Sequence, residues 1–183
     1  TTTGTTPVVV GPVSAMVASD TPMSGYIIDG QATADLAHFT FSGNGTVTSL
    51  KLKRTGISDQ NTLSNVYLYD GVNRITDGYS FNSASEIVIN GLNIMVAGSK
   101  TISVKADASS SASNNSTIKV VLTSFTANGT AVATNLSGNE MSLASGASLA
   151  TGSLTANTVA TASVDAGVSE FTFWSAPIQI NTR

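Results

Sequence analysis

The 183-residue chain carries 8 Lys and Arg against 11 Asp and Glu, for a formal net charge of −3, and its pI is near 4.8. Only 10% of its residues are charged, against roughly a quarter in ordinary soluble proteins, so its more than one quarter Ser and Thr gives a surface coated with hydroxyls. Without a basic stripe to neutralise phosphates, without a run near the ~20 apolar residues of a spanning helix, and without cysteine, the composition argues against nucleic-acid partners, a membrane span and thiol chemistry.

The N-terminus opens with Thr1 to Thr6, only Thr and Gly, and runs into the apolar stretch from Val8 to Ala18. A first residue of Thr fits an exported chain whose leader has been removed. Pro7 and Pro12 each remove a backbone donor, which places this stretch at a sheet edge or makes it an added strand. Residues 1–20 therefore read as a polar tail and candidate donor strand, with Val8, Val10, Val13, Ala15 and Val17 as the face it would offer a neighbouring subunit.

From residue 21 to 183 the pattern is one of short period-two apolar runs broken by Gly, Asn, Asp and Ser. Strands are expected at Leu36 to Phe41, Val47 to Lys53, Leu63 to Tyr69, Tyr79 to Phe81, Glu86 to Ile89, Leu92 to Val96, Thr101 to Ala106, Thr117 to Phe125 and Val168 to Ile180. In Thr101 to Ala106, Ile102, Val104 and Ala106 point one way and Thr101, Ser103 and Lys105 the other. Apolar parity slips by one residue between Val47 and Leu50, which predicts a β-bulge at Thr48 and Ser49 if the strand is continuous. Asp70-Gly71 and Asp77-Gly78 bracket a short hairpin-like excursion. Met141 to Leu154 is the best amphipathic helix candidate, but its Ser and Gly content opposes a stable helix. The fold class expected is all-β, an antiparallel β-sandwich of immunoglobulin-like or jelly-roll-like kind with an N-terminal strand extension.

Chemistry-bearing residues are sparse. His38, the only histidine, lies on the strand face opposite Ala37, Phe39 and Phe41, without the partners of a triad or metal site in any motif. Asp70, Asn73 and Asp77 form the densest group of loop oxygens, a weak calcium candidate that matches no EF-hand loop. Five lysines, Lys51, Lys53, Lys100, Lys105 and Lys119, are the only candidates for an intramolecular isopeptide link. The N-x-[ST] pattern occurs at Asn44, Asn114, Asn115, Asn128 and Asn135, which makes them glycosylation candidates in a chain where such triplets also arise by chance. Tyr67, Tyr69, Tyr79, Phe81 and Trp174 would form a sugar-stacking platform if exposed; core packing is the favoured expectation. No cofactor is expected and the chain reads as no enzyme, because no nucleophile and base are visible together.

The strings Ala34-Asp-Leu-Ala-His-Phe-Thr-Phe, Thr48-Ser-Leu-Lys-Leu-Lys-Arg-Thr-Gly, Leu63-Ser-Asn-Val-Tyr-Leu-Tyr-Asp-Gly and Lys100-Thr-Ile-Ser-Val-Lys-Ala-Asp carry a resemblance that covers roughly residues 25 to 135. In them the chain resembles surface-layer-like, immunoglobulin-like β-sandwich domains at the cell surface of uncultured small-genome bacteria. The resemblance implies a structural role at the cell surface and supplies no catalytic residues. The function expected is that of a subunit in an extracellular, pilus-like homopolymer, its partner a second copy met head to tail. The alternatives are a surface-layer lattice domain and a carbohydrate-binding or adhesive module whose partners are glycans.

Overall fold

The computed structural model describes residues 11–112, 115–145, 150–155, 163–170 and 175–182. Among them the chain is all-β, with no helix. Contacts gather Thr1–Ala144 into one compact unit and Ser145–Arg183 into another, so the N-terminal strand belongs to the first.

That first unit is one curled, mixed sheet of nine strands. They are β1 (Val13–Val17), β2 (Gly25–Ile28), β3 (Ala34–Thr55), β4 (Leu63–Asp70), β5 (Asn73–Arg74), β6 (Glu86–Ala108), β7 (Thr117–Ala127), β8 (Thr130–Ser137) and β9 (Met141–Ala144). Its backbone is the antiparallel pair β3 and β6, two strands of 22 and 23 residues that run together from Ala34↔Ala106 to Lys53↔Glu86. Two segments expected as separate strands thus merge in β3, and three merge in β6. The Gly-rich joints between them read as turns in the sequence, yet they pair with each other, Gly43 opposite Gly98.

Bulges decide which side chains face inward. The slip expected at Thr48 and Ser49 is present, since register shifts between Val47 and Ser49 against both β6 and β7. Opposite it, β6 loops out over Gly91, Leu92 and Asn93, between Asn90↔Ser49 and Ile94↔Val47. A second shift, between Asp35 and Ala37, turns both Leu36 and Ala37 into the core. The alternation in Thr101 to Ala106 holds, with Ile102, Val104 and Ala106 all buried.

Neighbouring strands divide the edges. On its side away from β6, β3 takes β1 along Phe39–Gly43 and β7 along Val47–Thr55. On its side away from β3, β6 takes β4 along Ser103–Ala108. The β4–β5 hairpin is the excursion expected at Asp70-Gly71, and Tyr79 returns to bridge Val66. β8 hangs on β7, and β9 on the start of β7. β2 pairs with β9 in parallel, a departure from the all-antiparallel expectation. Parallel pairing requires a long crossover, here the whole chain from β2 to β9, so no local turn signal announces it.

The curl closes over one hydrophobic core. Phe41 on β3 meets Phe125 on β7 edge to face, with ring centroids 5.3 Å apart. A Cβ on Gly138 would come within 2.7 Å of the Ala37 Cβ and 3.1 Å of the Leu36 carbonyl oxygen, so only glycine permits this close approach. The second unit holds one antiparallel pair, β10 (Ala150–Leu154) with β11 (Ile178–Thr182). Strand therefore replaces the helix candidate at both ends of Met141 to Leu154. Of the strand expected from Val168 to Ile180, the part from Ile178 onward is strand, Val168 to Glu170 is not, and 171–174 lie outside the described residues.

Candidate functional site

β1 is short, and its register runs from Val13↔Gly43 to Val17↔Phe39. Val13 is buried, and Ala15 and Val17 pack against the core, while Ser14 and Met16 face outward. The face expected to be offered to a neighbour is thus seated, in a single chain, on the chain's own β3. Val8 and Val10 lie outside the described residues. Both ends of the strand are fastened. At its start, the Gly11 N–H donates to the Asn44 carbonyl at 2.9 Å. Asn128, in the turn between β7 and β8, donates from its amide to the Gly11 carbonyl at 3.0 Å and accepts from the Thr46 N–H at 2.9 Å. At its end, Ala18 N–H donates to the His38 carbonyl at 2.9 Å, and the Thr21 hydroxyl accepts from the His38 N–H at 2.7 Å.

The His38 ring closes that second fastening. Because of the bulge at Leu36, His38 and Asp35 share the outer face, and Nε2 sits 3.0 Å from both Asp35 carboxylate oxygens. Nδ1 lies 3.1 Å from Asp20 Oδ2, at ion-pair distance without the alignment of a hydrogen bond. Lys105 approaches Asp35 at 3.6 Å. With a carboxylate at each ring nitrogen, the imidazole links Asp35 at the start of β3 to Asp20 just past the end of β1.

Farther along the same outer face lie Tyr67 and Tyr69 of β4. Core packing was expected of them; instead the core takes Val66 and Leu68, and the tyrosines stand half-exposed on the opposite side. Arg74 lies over the Tyr67 ring at 5.1 Å and Lys105 over the Tyr69 ring at 5.2 Å. The Tyr67 hydroxyl donates to Asp107 at 2.7 Å, a bond that holds its pKa above the usual tyrosine value. Burial pushes the Asp107 carboxyl up, but hydrogen bonds from Thr33 N–H, Tyr67 and Asn65, with the charge of Arg74, outweigh it and hold the carboxyl below its usual value. Phe81 is buried beneath Arg54, Tyr79 is half-buried, and Trp174 lies outside the described residues.

A groove of about 460 Å³ opens beside β6. Its floor includes the core residues Ile94 and Ile102, its rim carries Ile75 and Met95, and Asp70 and Lys100 close one end. Among the described residues no strand lies along this side of β6 from Ile87 to Lys100. Apolar spacing does not announce this groove, since it arises from the Gly91 to Asn93 loop-out and from the end of β4 pairing at Tyr69↔Ser103.

The remaining candidates are scattered. Asp70 pairs with Lys100 at 2.6 Å and stands opposite Asn73 across the hairpin, Asp77 is exposed, and among the described residues no group of three His, Cys, Asp or Glu gathers to hold a metal ion. Lys51 is ion-paired with Glu86 at 2.8 Å. Asn44, Asn115 and Asn135 are exposed, Asn114 lies outside the described residues, and the Asn128 amide is engaged as above. Arg54 is a buried residue that sequence reading passed over. It donates to the Ser58 carbonyl at 2.7 Å and to Ser85 Oγ at 3.0 Å, and burial lowers its pKa against the opposing charge of Asp59. No protein-family model matches the chain, and no curated protein matches it.

Proposed function

We propose that this chain is a structural, non-catalytic subunit of an extracellular pilus-like homopolymer, in which the N-terminal segment of one subunit adds as a β-strand to the sheet of the next. The curled sheet serves this reading as a body closed over one core, with Phe41 against Phe125 inside it. One observation carries it: among the described residues β1 is paired on its β3 side only, and it follows closely on Gly11, the residue that succeeds the apolar Pro7 to Val10 segment in the chain. Because Val13, Ala15 and Val17 are already committed to their own sheet, the donated part is the chain ahead of Gly11, with Val8 and Val10 as its alternating side chains. A contact between one subunit's tail and another's sheet does not close on itself, so it propagates as a fibre. The hydroxyl-rich, weakly charged surface fits an exposed wall protein.

Deleting residues 1–10 tests the proposal. Negative-stain microscopy of the full chain is expected to show fibres and that of the shortened chain single particles. Fibres from the shortened chain would end the proposal, and flat sheets from the full chain would favour the surface-layer lattice. The carbohydrate-binding reading has Tyr67 and Tyr69 in its favour, but Arg74 and Lys105 already lie over their rings.

A further inference from the structure

We infer that the groove beside β6 is the acceptor for this donated strand: Pro7 to Val10 of a second copy lies along the Ile87–Lys100 side of β6 and sets a valine against Ile94 and Ile102. The inference rests on the filament reading and specifies its receiving site.

Three observations converge on that occupant. The first is the edge itself. Strand pairing covers Ser103–Ala106 of β6 on both sides, but Ile87–Lys100 on the β3 side only, among the described residues. Such an edge presents backbone donors and acceptors ready for an extended peptide. The second is the groove. Its floor reaches Ile94 and Ile102, which are 5% and 1% exposed, while the rim residues Met95 and Ile75 are 71% and 39% exposed. An edge with an apolar slot beside it fits a strand bearing branched side chains at alternate positions, as Val8 and Val10 are spaced. The slot holds one ion pair, Asp70 with Lys100, so it asks for no charge from its occupant, and residues 1–10 carry none on their side chains.

The third observation separates a second copy from the chain's own tail. Gly11 is held at Asn44, on the edge of β3 that faces β1. Asn44 pairs with Ala97, and the groove lies past β6 on the opposite edge of the same ribbon. Gly11 and the acceptor groove thus lie on opposite sides of the β3–β6 pair. Ten extended residues span up to ~33 Å, enough to reach a neighbouring body. A donor on one edge and an acceptor on the other is the head-to-tail arrangement that a fibre needs.

The chain contains no cysteine, which makes cross-linking clean. Full-length Val9→Cys and full-length Met95→Cys, distinguished by size tags, are mixed and mildly oxidised. The mixed disulfide is expected between the two proteins, and absent when Ile57→Cys, an exposed residue beyond the end of β3 that does not line the groove, replaces Met95→Cys. In the double variant, a disulfide confined to single chains would show that the chain covers its own groove and would overturn the inference. A companion variant, Ile75→Asp with Met95→Asp, alters only exposed rim residues and is expected to keep the native circular dichroism while losing fibres entirely. If this folded variant forms fibres as the parent does, while deletion of residues 1–10 abolishes them, the acceptor lies elsewhere and the filament reading survives. If the deletion leaves fibres intact, the filament reading itself falls.

Discussion

The two ends of β6 are built from the same kind of sequence and end in opposite situations. From Ser103 to Ala106 the strand is flanked on both sides, by β3 and β4, and Lys105 and the adjoining Asp107 are tied into an ionic and aromatic network. From Ile87 to Lys100 it has β3 alone among the described residues, and its outward Val88 and Met95 are exposed. Inward residues do not distinguish the halves, since Ile87, Ile89, Ile102 and Val104 are all buried. The difference lies in what covers the edge. A buried face makes a strand fold; an uncovered edge makes it available for association.

Changes to the shared core break the comparison, because both halves depend on it. Phe41→Ala removes the ring that meets Phe125 and should cost about 3–5 kcal/mol, read as a lowered denaturation midpoint in urea with unchanged slope.

Changes at the β1 seat sharpen it, because they loosen one edge and leave the core. Gly43 sits at φ 128, and a Cβ there would run into the Pro12 carbonyl. Gly43→Ala should cost of order 1 to 3 kcal/mol and raise amide exchange selectively in Val13–Val17. Uniform exchange across the sheet would refute that local reading. Asn128→Ala removes the bonds to Gly11 and Thr46 from a residue at φ 51, for about 1 to 2 kcal/mol. Asn128→Gly keeps the backbone and loses only the bonds, so the gap between the two variants measures the turn.

Acid tests the closed half. The Asp107 carboxyl is held below its unfolded value, so the stability it contributes is present above about pH 4 and is lost as pH falls through the lower folded value. Asp107→Asn should flatten that acid limb in thermal melts. It should also lower the Tyr67 titration toward the ordinary phenol range, read by ultraviolet absorbance. The smallest effect belongs to the open half. Val88→Lys, on an exposed outward position, should change stability by no more than about 0.5 kcal/mol.

Period-two apolar spacing located most of β3, β4, β6 and β7, because alternation is a local property of a half-buried strand. The slip at Thr48 and the outward placement of His38 were legible for the same reason. What the spacing missed had non-local causes. The Ser42 to Gly45 stretch reads as a turn until Gly98 is placed opposite it. β8 buries little, with its side chains exposed or only partly covered, so it leaves a faint signature. Asn128-Gly129 is both an N-x-[ST] triplet and the turn between β7 and β8, and the triplet pattern alone does not tell the two apart. Asp35 and His38 meet because a bulge puts residues three apart on one face, against simple alternation.

By itself, then, the sequence determined that this chain is all-β, that its surface is hydroxyl-rich, and which residues most of its strands turn inward. Composition and period act residue by residue and need no partner. Only the tertiary structure decided that β1 lies on its own β3, that β2 and β9 run parallel, and that Tyr67 and Tyr69 face outward under Arg74 and Lys105. It also decided that one flank of β6 stands beside an apolar groove. Those are properties of edges and registers, and an edge is defined by the strand that lies, or does not lie, next to it.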